Sequence, residues 1–257
     1  MEVLQHNNDM ERKYLLVTGA SSGMGREIAV RLSGIYNIVL CGRDLQRLEQ
    51  TVEMCDKNGR HLIFQADLAR VESIEESLGQ FITQNGCFIT AFVHSAGYMK
   101  TIPLKMITPE LFQNSFNVNV TAAAIIAKVL TKKKVNEGAL KNIVIISSNI
   151  SSFGAKAFSA YASSKAAADG LMRCLAVELA PKVRVNSVLP GGVRTAMTEH
   201  MYQDQALIER MEASYPLGLG TTKDICGVVE FLLSDSARWI TGQQITVDGG
   251  RTIDITG

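Results

Sequence analysis

The sequence predicts an α/β domain built on a doubly wound parallel sheet of about seven strands, with helices on both faces. Short apolar runs alternate with longer amphipathic ones along the chain, and a glycine-rich turn follows the first apolar run. Further on, an apolar run ends at a serine pair, upstream of a tyrosine and a lysine four residues apart. At 257 residues, 46% hydrophobic and 20% charged, the chain fits a single domain over its whole length, with residues 1–12 as a polar tail.

Residues 14–18 read as the first strand and 25–33 as the first helix, with Ile28, Ala29 and Leu32 spaced to face the sheet. Residues 37–41 form the second strand. Asp44 then caps a helix running towards residue 58, with Leu45, Leu48 and Val52 on its inner side. Residues 61–65 are the third strand, and Ile74, Leu78, Phe81 and Ile82 mark the third helix. The fourth strand, 89–93, leads into Ser95, Ala96 and Gly97 and a polar loop interrupted by proline. A long helix over about 109–134 precedes the fifth strand at 143–146, and 184–189 is the sixth. Strands recurring after each helix imply βαβ units with right-handed crossovers.

The strand Ile143-Val144-Ile145-Ile146 ends at Ser147-Ser148, where open α/β sheets receive ligands. Tyr161 and Lys165 share one face of the following helix. A phenol titrates near ~10, too high for proton transfer at neutral pH, and a nearby ammonium is expected to lower that value. Tyr161 then exchanges a proton with a carbonyl or alcohol oxygen that Ser148 holds by hydrogen bonding.

Hydride must come from a cofactor. The loop Thr18, Gly19, Ala20, Ser21, Ser22, Gly23, Met24, Gly25 lies between strand and helix, where backbone amides receive a pyrophosphate. Its G-x-x-x-G-x-G spacing only approximates the dinucleotide fingerprint, and a tight turn without a ligand is the plainer alternative. At the end of the second strand, Gly42 stands where an acid would bind the ribose of NAD, and Arg43 follows to meet a 2′-phosphate. The expectation is NADP(H) rather than NAD(H). Asp44 could turn to the ribose, although helix capping explains it with less.

With these residues in hand, the chain resembles the short-chain dehydrogenase/reductase family of Rossmann-type oxidoreductases from residue 14 to about 250. The resemblance is carried by the glycine loop at 18–25, Asp67-Leu68, His94-Ser-Ala-Gly97, Asn117-Val-Asn119-Val, Ser148, Tyr161-x-x-x-Lys165, Pro190-Gly-Gly-Val-Arg-Thr195 and residues 240–250. It implies that Tyr161 is the general acid or base, that Lys165 tunes it and binds the nicotinamide ribose, and that Ser148 positions the carbonyl. Asn119 would hold a water connecting Lys165 to solvent; otherwise it is a polar residue kinking its helix. Asp67 would bond the adenine amino group, or else cap the next helix. Leu68, Ser95, Ala96, Gly97 and Pro190 would line the cofactor, and Gly191, Val193 and Thr195 would contact its carboxamide and pyrophosphate.

One departure stands out. Where the family has Asn-Asn-Ala-Gly, this chain has His94-Ser95-Ala96-Gly97, so the tie that residue 95 usually makes between strands is expected to be weaker. His94 is expected to be structural or cofactor-lining.

A net charge of +1 argues against nucleic acid as partner. Five cysteines without C-x-x-C or metal-like spacing read as buried small residues in a reducing, cytoplasmic setting, with no metal. No apolar run is long enough to span a membrane. The overall pattern resembles 3-oxoacyl-acyl-carrier-protein reductases, with sugar, steroid or small secondary alcohol dehydrogenases as the alternative and a non-catalytic NADP sensor as another. An acyl carrier would dock on basic residues, for which Lys132, Lys133, Lys134 and Lys182 are candidates, unless that run is a solvated helix end. Met197, His200, Met201, Tyr202, Met211 and Tyr215 are candidate pocket residues within 192–219, or core residues of an amphipathic helix. The resemblance also implies a homo-oligomer, a tetramer or dimer, through the Ala-rich stretches 122–127 and 160–168, which could equally pack within one subunit.

Overall fold

The computed structural model describes residues 13–195, 198–199 and 205–253. Seven parallel strands form one sheet in the order β3-β2-β1-β4-β5-β6-β7. They are β1 (Tyr14–Thr18), β2 (Asn37–Gly42), β3 (Leu62–Gln65), β4 (Ile89–His94), β5 (Asn142–Ile146), β6 (Arg184–Pro190) and β7 (Gln244–Val247). β1 and β2 are buried at every residue. Helices cover both faces, which is why these strands read as unbroken apolar runs rather than alternating ones.

The helices α1 (Gly23–Leu32), α2 (Leu45–Met54) and α9 (Thr222–Leu233) lie on one face, with α3 (Val71–Asn85), α5 (Ala122–Thr131) and α7 (Ser159–Glu178) on the other. Alternate residues of β1 divide between the two cores: Leu15 and Val17 pack with Ile28 and Val229, while Leu16 packs with Ile74, Ile126 and Met172. The chain builds outward from β1 to β3, then returns to place β4 on the other side of β1. That reversal opens a crevice at the carboxyl ends of β1 and β4.

Several boundaries differ from the sequence expectation. Asp44 does cap α2, its Oδ1 accepting from the Arg47 amide at 3.1 Å, but Cys55 turns extended (ψ 162°) and ends the helix there. The long helix breaks into α4 (Pro109–Phe116), a π-helical segment (Asn117–Thr121) and α5, with α6 (Lys133–Asn136) following an extended Lys132. Helix α8 (Gln205–Ala213) precedes α9. Cys174 is exposed on α7, whereas the other four cysteines are buried as expected.

In the two Ala-rich stretches, Ala122, Ala123, Ala127, Ala160 and Ala168 are buried, Ala124, Ala162 and Ala167 are half-buried and Ala166 is exposed. The four candidate docking lysines do not flank the crevice: Lys132 to Lys134 precede β5 and Lys182 precedes β6, which places them at the amino edge of the sheet. Lys132 is moreover paired with Glu75 at 2.5 Å, beside Lys128 at 2.6 Å. Among the described residues no helix is long and apolar enough to cross a membrane, and no cluster could hold a metal ion.

Candidate active site

The glycine loop is pressed against the segment after β4. Gly19 has φ +70°, and a Cβ there would stand 2.8 Å from the backbone of Ala96; one on Gly25 would stand 2.3 Å from the Gly19 carbonyl oxygen. Only residues without side chains fit. Ser22 precedes α1 in an extended conformation, and its side chain makes no capping bond. The first amides of α1 therefore have no side-chain partner, and their dipoles favour an anion. The loop after β6 closes over this point: a Cβ on Gly23 would lie 3.3 Å from that of Thr195. Arg26, which the sequence reading missed, braces the loop by donating to the Ser21 carbonyl at 2.6 Å and to Thr51 Oγ1 at 3.0 Å. Thr51 and the Arg47 carbonyl, its partners on α2, are more than twenty residues away, so no local pattern marks it.

His94 takes over the tie between strands. Its Nε2 lies 3.0 Å from the Val118 carbonyl oxygen, which can only accept, so Nε2 carries the hydrogen and Nδ1 is the acceptor. Thr18 must then donate its hydroxyl to Nδ1 at 3.0 Å, leaving its oxygen to accept from the amides of Ser95 and Ala96, each at 3.2 Å. Burial, followed by the charge of Lys165, pushes the His94 pKa down to about 3 and fixes this neutral form. The expected weakness at residue 95 is real only for its side chain, because Ser95 Oγ is buried with no hydrogen-bond partner.

Asn119 lies in the π segment and is fully buried. Its Oδ1 accepts from the Tyr98 amide at 2.7 Å, and its Nδ2 donates to the Tyr98 carbonyl at 3.1 Å and to Ser164 Oγ at 2.8 Å. Ser164 in turn donates to the Tyr161 carbonyl at 2.8 Å, joining the π segment to the first turns of α7. Ser164 was not singled out from sequence, although it stands immediately before Lys165.

Tyr161 is half-buried near the start of α7, with Ser148 beside its phenol. Lys165 is 4% exposed; its Nζ donates to the Ile146 carbonyl at 2.8 Å and stands 5.7 Å from the Tyr161 ring centroid. The trio converges beyond the carboxyl end of β5. The expected lowering of the phenol is not what the surroundings produce. Burial pushes Tyr161 up to about 12, opposed by Ser148. Burial likewise pulls Lys165 down to about 8, with the charge of Asp169 opposing.

Gly42 is buried at the end of β2, and Arg43 is exposed beside it, its carbonyl accepting from Gln65 Nε2 at 2.9 Å. Asp67 Oδ1 accepts from the Ala69 amide at 3.1 Å, so its side chain is part of the turn leading to α3. Leu68 is 5% exposed and its side chain belongs to the core. Pro190 pairs with Val247, and a Cβ on Gly191 would collide with that of Asp248 at 2.6 Å. Val193, 5% exposed, bridges to Gly220. Ser21, Met24 and Gly97 are half-buried around the same crevice edge.

A cavity of about 430 Å³ lies beyond Gly191 and Gly192. Tyr215 lines it and is held in place, its hydroxyl accepting from the Gly192 amide at 2.8 Å. Met211 packs against the same glycine, while Met197, His200, Met201 and Tyr202 lie outside the described residues. A larger groove of about 660 Å³ runs along α3 beside Lys132, away from the tyrosine and the glycine loop.

Comparison with known proteins shows the family. A family model described as enoyl-(acyl carrier protein) reductase matches residues 19–252. The chain belongs to the short-chain dehydrogenase/reductase family. Versicolorin reductase 1 of Aspergillus parasiticus is 31% identical over 96% of this chain and 99% of its own. L-xylulose reductase of Bos taurus is 33% identical, over 91% and 94%. The (3R)-3-hydroxyacyl-CoA dehydrogenase of Rattus norvegicus is 32% identical over the same shares. Among solved structures, 4-hydroxyisoleucine dehydrogenase complexed with NADH superposes with a TM-score of 0.87 at 26% identity, over 94% of this chain and 99% of that one. A short-chain type dehydrogenase/reductase from Mycobacterium ulcerans gives 0.85 at 30% identity, over 95% and 90%. As a member of this family the chain is an oxidoreductase.

Proposed function

We propose that the protein is an NADP(H)-dependent carbonyl reductase, interconverting a ketone and a secondary alcohol, with Tyr161 as general acid or base. The observation that carries this is the buried Lys165 at the carboxyl end of β5, its Nζ 2.8 Å from the Ile146 carbonyl and 5.7 Å from the centre of the Tyr161 ring, with Ser148 beside the phenol. The uncapped amides of α1, the close approach at Gly19 and the partnerless Ser95 Oγ suit a dinucleotide lying across the crevice. Bound there, the nicotinamide supplies the hydride. Ser148 orients the carbonyl oxygen by hydrogen bonding, and Tyr161 gives it the proton. A phenol held above its ordinary value is neutral at pH 7 and carries the proton that reduction needs. Lys165 places a cation where a phenolate develops, and Asn119 with Ser164 fixes the helix that presents both.

Arg43 beside the small Gly42 favours a 2′-phosphate. For the substrate, a free ketone or acyl thioester suits the site better than one tethered to a carrier, because the candidate docking lysines stand at the far edge of the sheet. A homo-oligomer is favoured by the 91% exposed Trp239 near edge strand β7, and light scattering on the purified protein would show a monomer if this is wrong.

The test is oxidation of NADPH against NADH with β-keto thioesters, keto sugars and steroid ketones, for the parent and for Tyr161→Phe. The variant is expected to lose roughly 10²- to 10⁴-fold in turnover while binding NADPH as before. Undiminished turnover in the variant would remove Tyr161 from the reaction, and preference for NADH would remove the role given to Arg43.

A further inference from the structure

Helix α7 buries a second charged side chain that the reaction above does not use. Asp169 is 2% exposed, and neither carboxylate oxygen has a hydrogen-bond partner. A carboxylate in that position is strongly disfavoured unless a charge compensates it. Lys165, one helical turn earlier, occupies the same buried side of the helix. Helical side chains lean towards the amino terminus, so the ammonium reaches forward to the Ile146 carbonyl while the shorter carboxylate follows behind it. Both groups are buried, and Coulomb forces between buried charges are screened less than in water.

The other groups facing Lys165 offer no anion. From β4 comes His94, held neutral, and from β5 the Ile146 carbonyl; Ser147 bonds the backbone carbonyl of Lys165, and Asn119 of the π segment bonds the neighbouring Ser164. On α7 itself stands Tyr161, neutral at pH 7. In β6, Ser187 shares the α7-facing side of the strand with Val185, and its hydroxyl is also buried without a partner. Asp169 is therefore the negative charge available, and its direction is legible in Lys165: burial lowers that lysine's pKa and Asp169 opposes the fall.

We propose that Asp169 is a positioning residue for the reductase: its partnerless buried carboxylate is the counter-charge that keeps Lys165 cationic and extended towards Tyr161. The reaction itself rests on the function proposed above; the charge relationship does not.

The experiment follows the Lys165 side chain by NMR through a pH titration of protein carrying ¹³C at the lysine Cε, assigned with Lys165→Arg. In Asp169→Asn the Lys165 midpoint is expected to fall by about one pH unit or more, and Asp169→Glu to restore it towards the parent value. The alkaline limb of turnover is expected to move down with it. A midpoint within about 0.2 unit of the parent in Asp169→Asn overturns the proposal, whatever the activity. Asp169→Val removes the same charge without adding an amide that needs partners. Failure of both variants to fold would also overturn the proposal, because a carboxylate serving only as counter-charge can be neutralised without losing a bond. If the midpoint moves while the parent reduces no ketone, the reductase reading fails and the counter-charge stands; reduction with an unmoved midpoint gives the reverse.

Discussion

At the scale of single residues, Gly19 shows how little room the glycine loop leaves for a side chain. Its φ of +70° is unfavourable for any residue with a side chain, and a Cβ would stand 2.8 Å from Ala96 Cα and N. Both effects act in Gly19→Ala, which is expected to lose roughly 1–3 kcal/mol in urea unfolding. The shift of the 94–97 segment should also weaken NADPH binding by calorimetry. Unchanged stability together with unchanged affinity would mean that the loop and that segment are not pressed together. This glycine was legible from sequence because its surroundings are announced by a strand before it and a helix after it. So was the Tyr161–Lys165 pair, which helical spacing alone brings to one face. Arg26 and Ser164 were not, since each meets a partner supplied by the tertiary fold, and Asp169 was not, since only the fold shows that its carboxylate is buried without a partner.

At the scale of elements, the segment from 109 to 134 carried strong helical periodicity, and the sequence expectation of one continuous helix missed its interruption. A π-helical turn inserts a residue without changing the apolar pattern on either side, so periodicity does not report it. Its consequence is large, for it presents Asn119 to Tyr98 and Ser164, and Val118 to His94. Asn119→Ala would leave the Tyr98 amide and carbonyl, and one side of Ser164, without their partner. Unfolding in urea is expected to show a loss of about 2–3 kcal/mol, more than a single exposed hydrogen bond would explain. A loss below about 0.5 kcal/mol would mean that water replaces the side chain and that the segment is not anchored through it.

Across the whole molecule, the groups that furnish the site also set how stability varies with pH. His94 falls from an ordinary 6.5 to about 3 on folding, and Lys165 from 10.5 to about 8. Both values are depressed, so within each interval the unfolded chain holds a proton that the folded chain lacks, and stability rises with pH. Each contributes a slope of about 1.4 kcal/mol per pH unit. Cys41 and Cys226 act in the opposite sense, since burial raises both from 9.0 to about 12 and stability is lost as pH rises through that interval. Between 6.5 and 8 none of these four groups changes charge in either state. Below that plateau stability falls through His94; above it Lys165 adds stability until the two thiols outweigh it near pH 9. Urea midpoints measured from pH 4.5 to 10 should therefore climb to 6.5, level off, rise again and turn down near pH 9. His94→Leu should flatten the acid limb between 6.5 and 4.5 while leaving the alkaline maximum where it was, because His94 is fully buried and its titration is separated from the others. An acid limb of unchanged slope in that variant would assign the loss to surface carboxylates and take the buried imidazole out of the pH dependence.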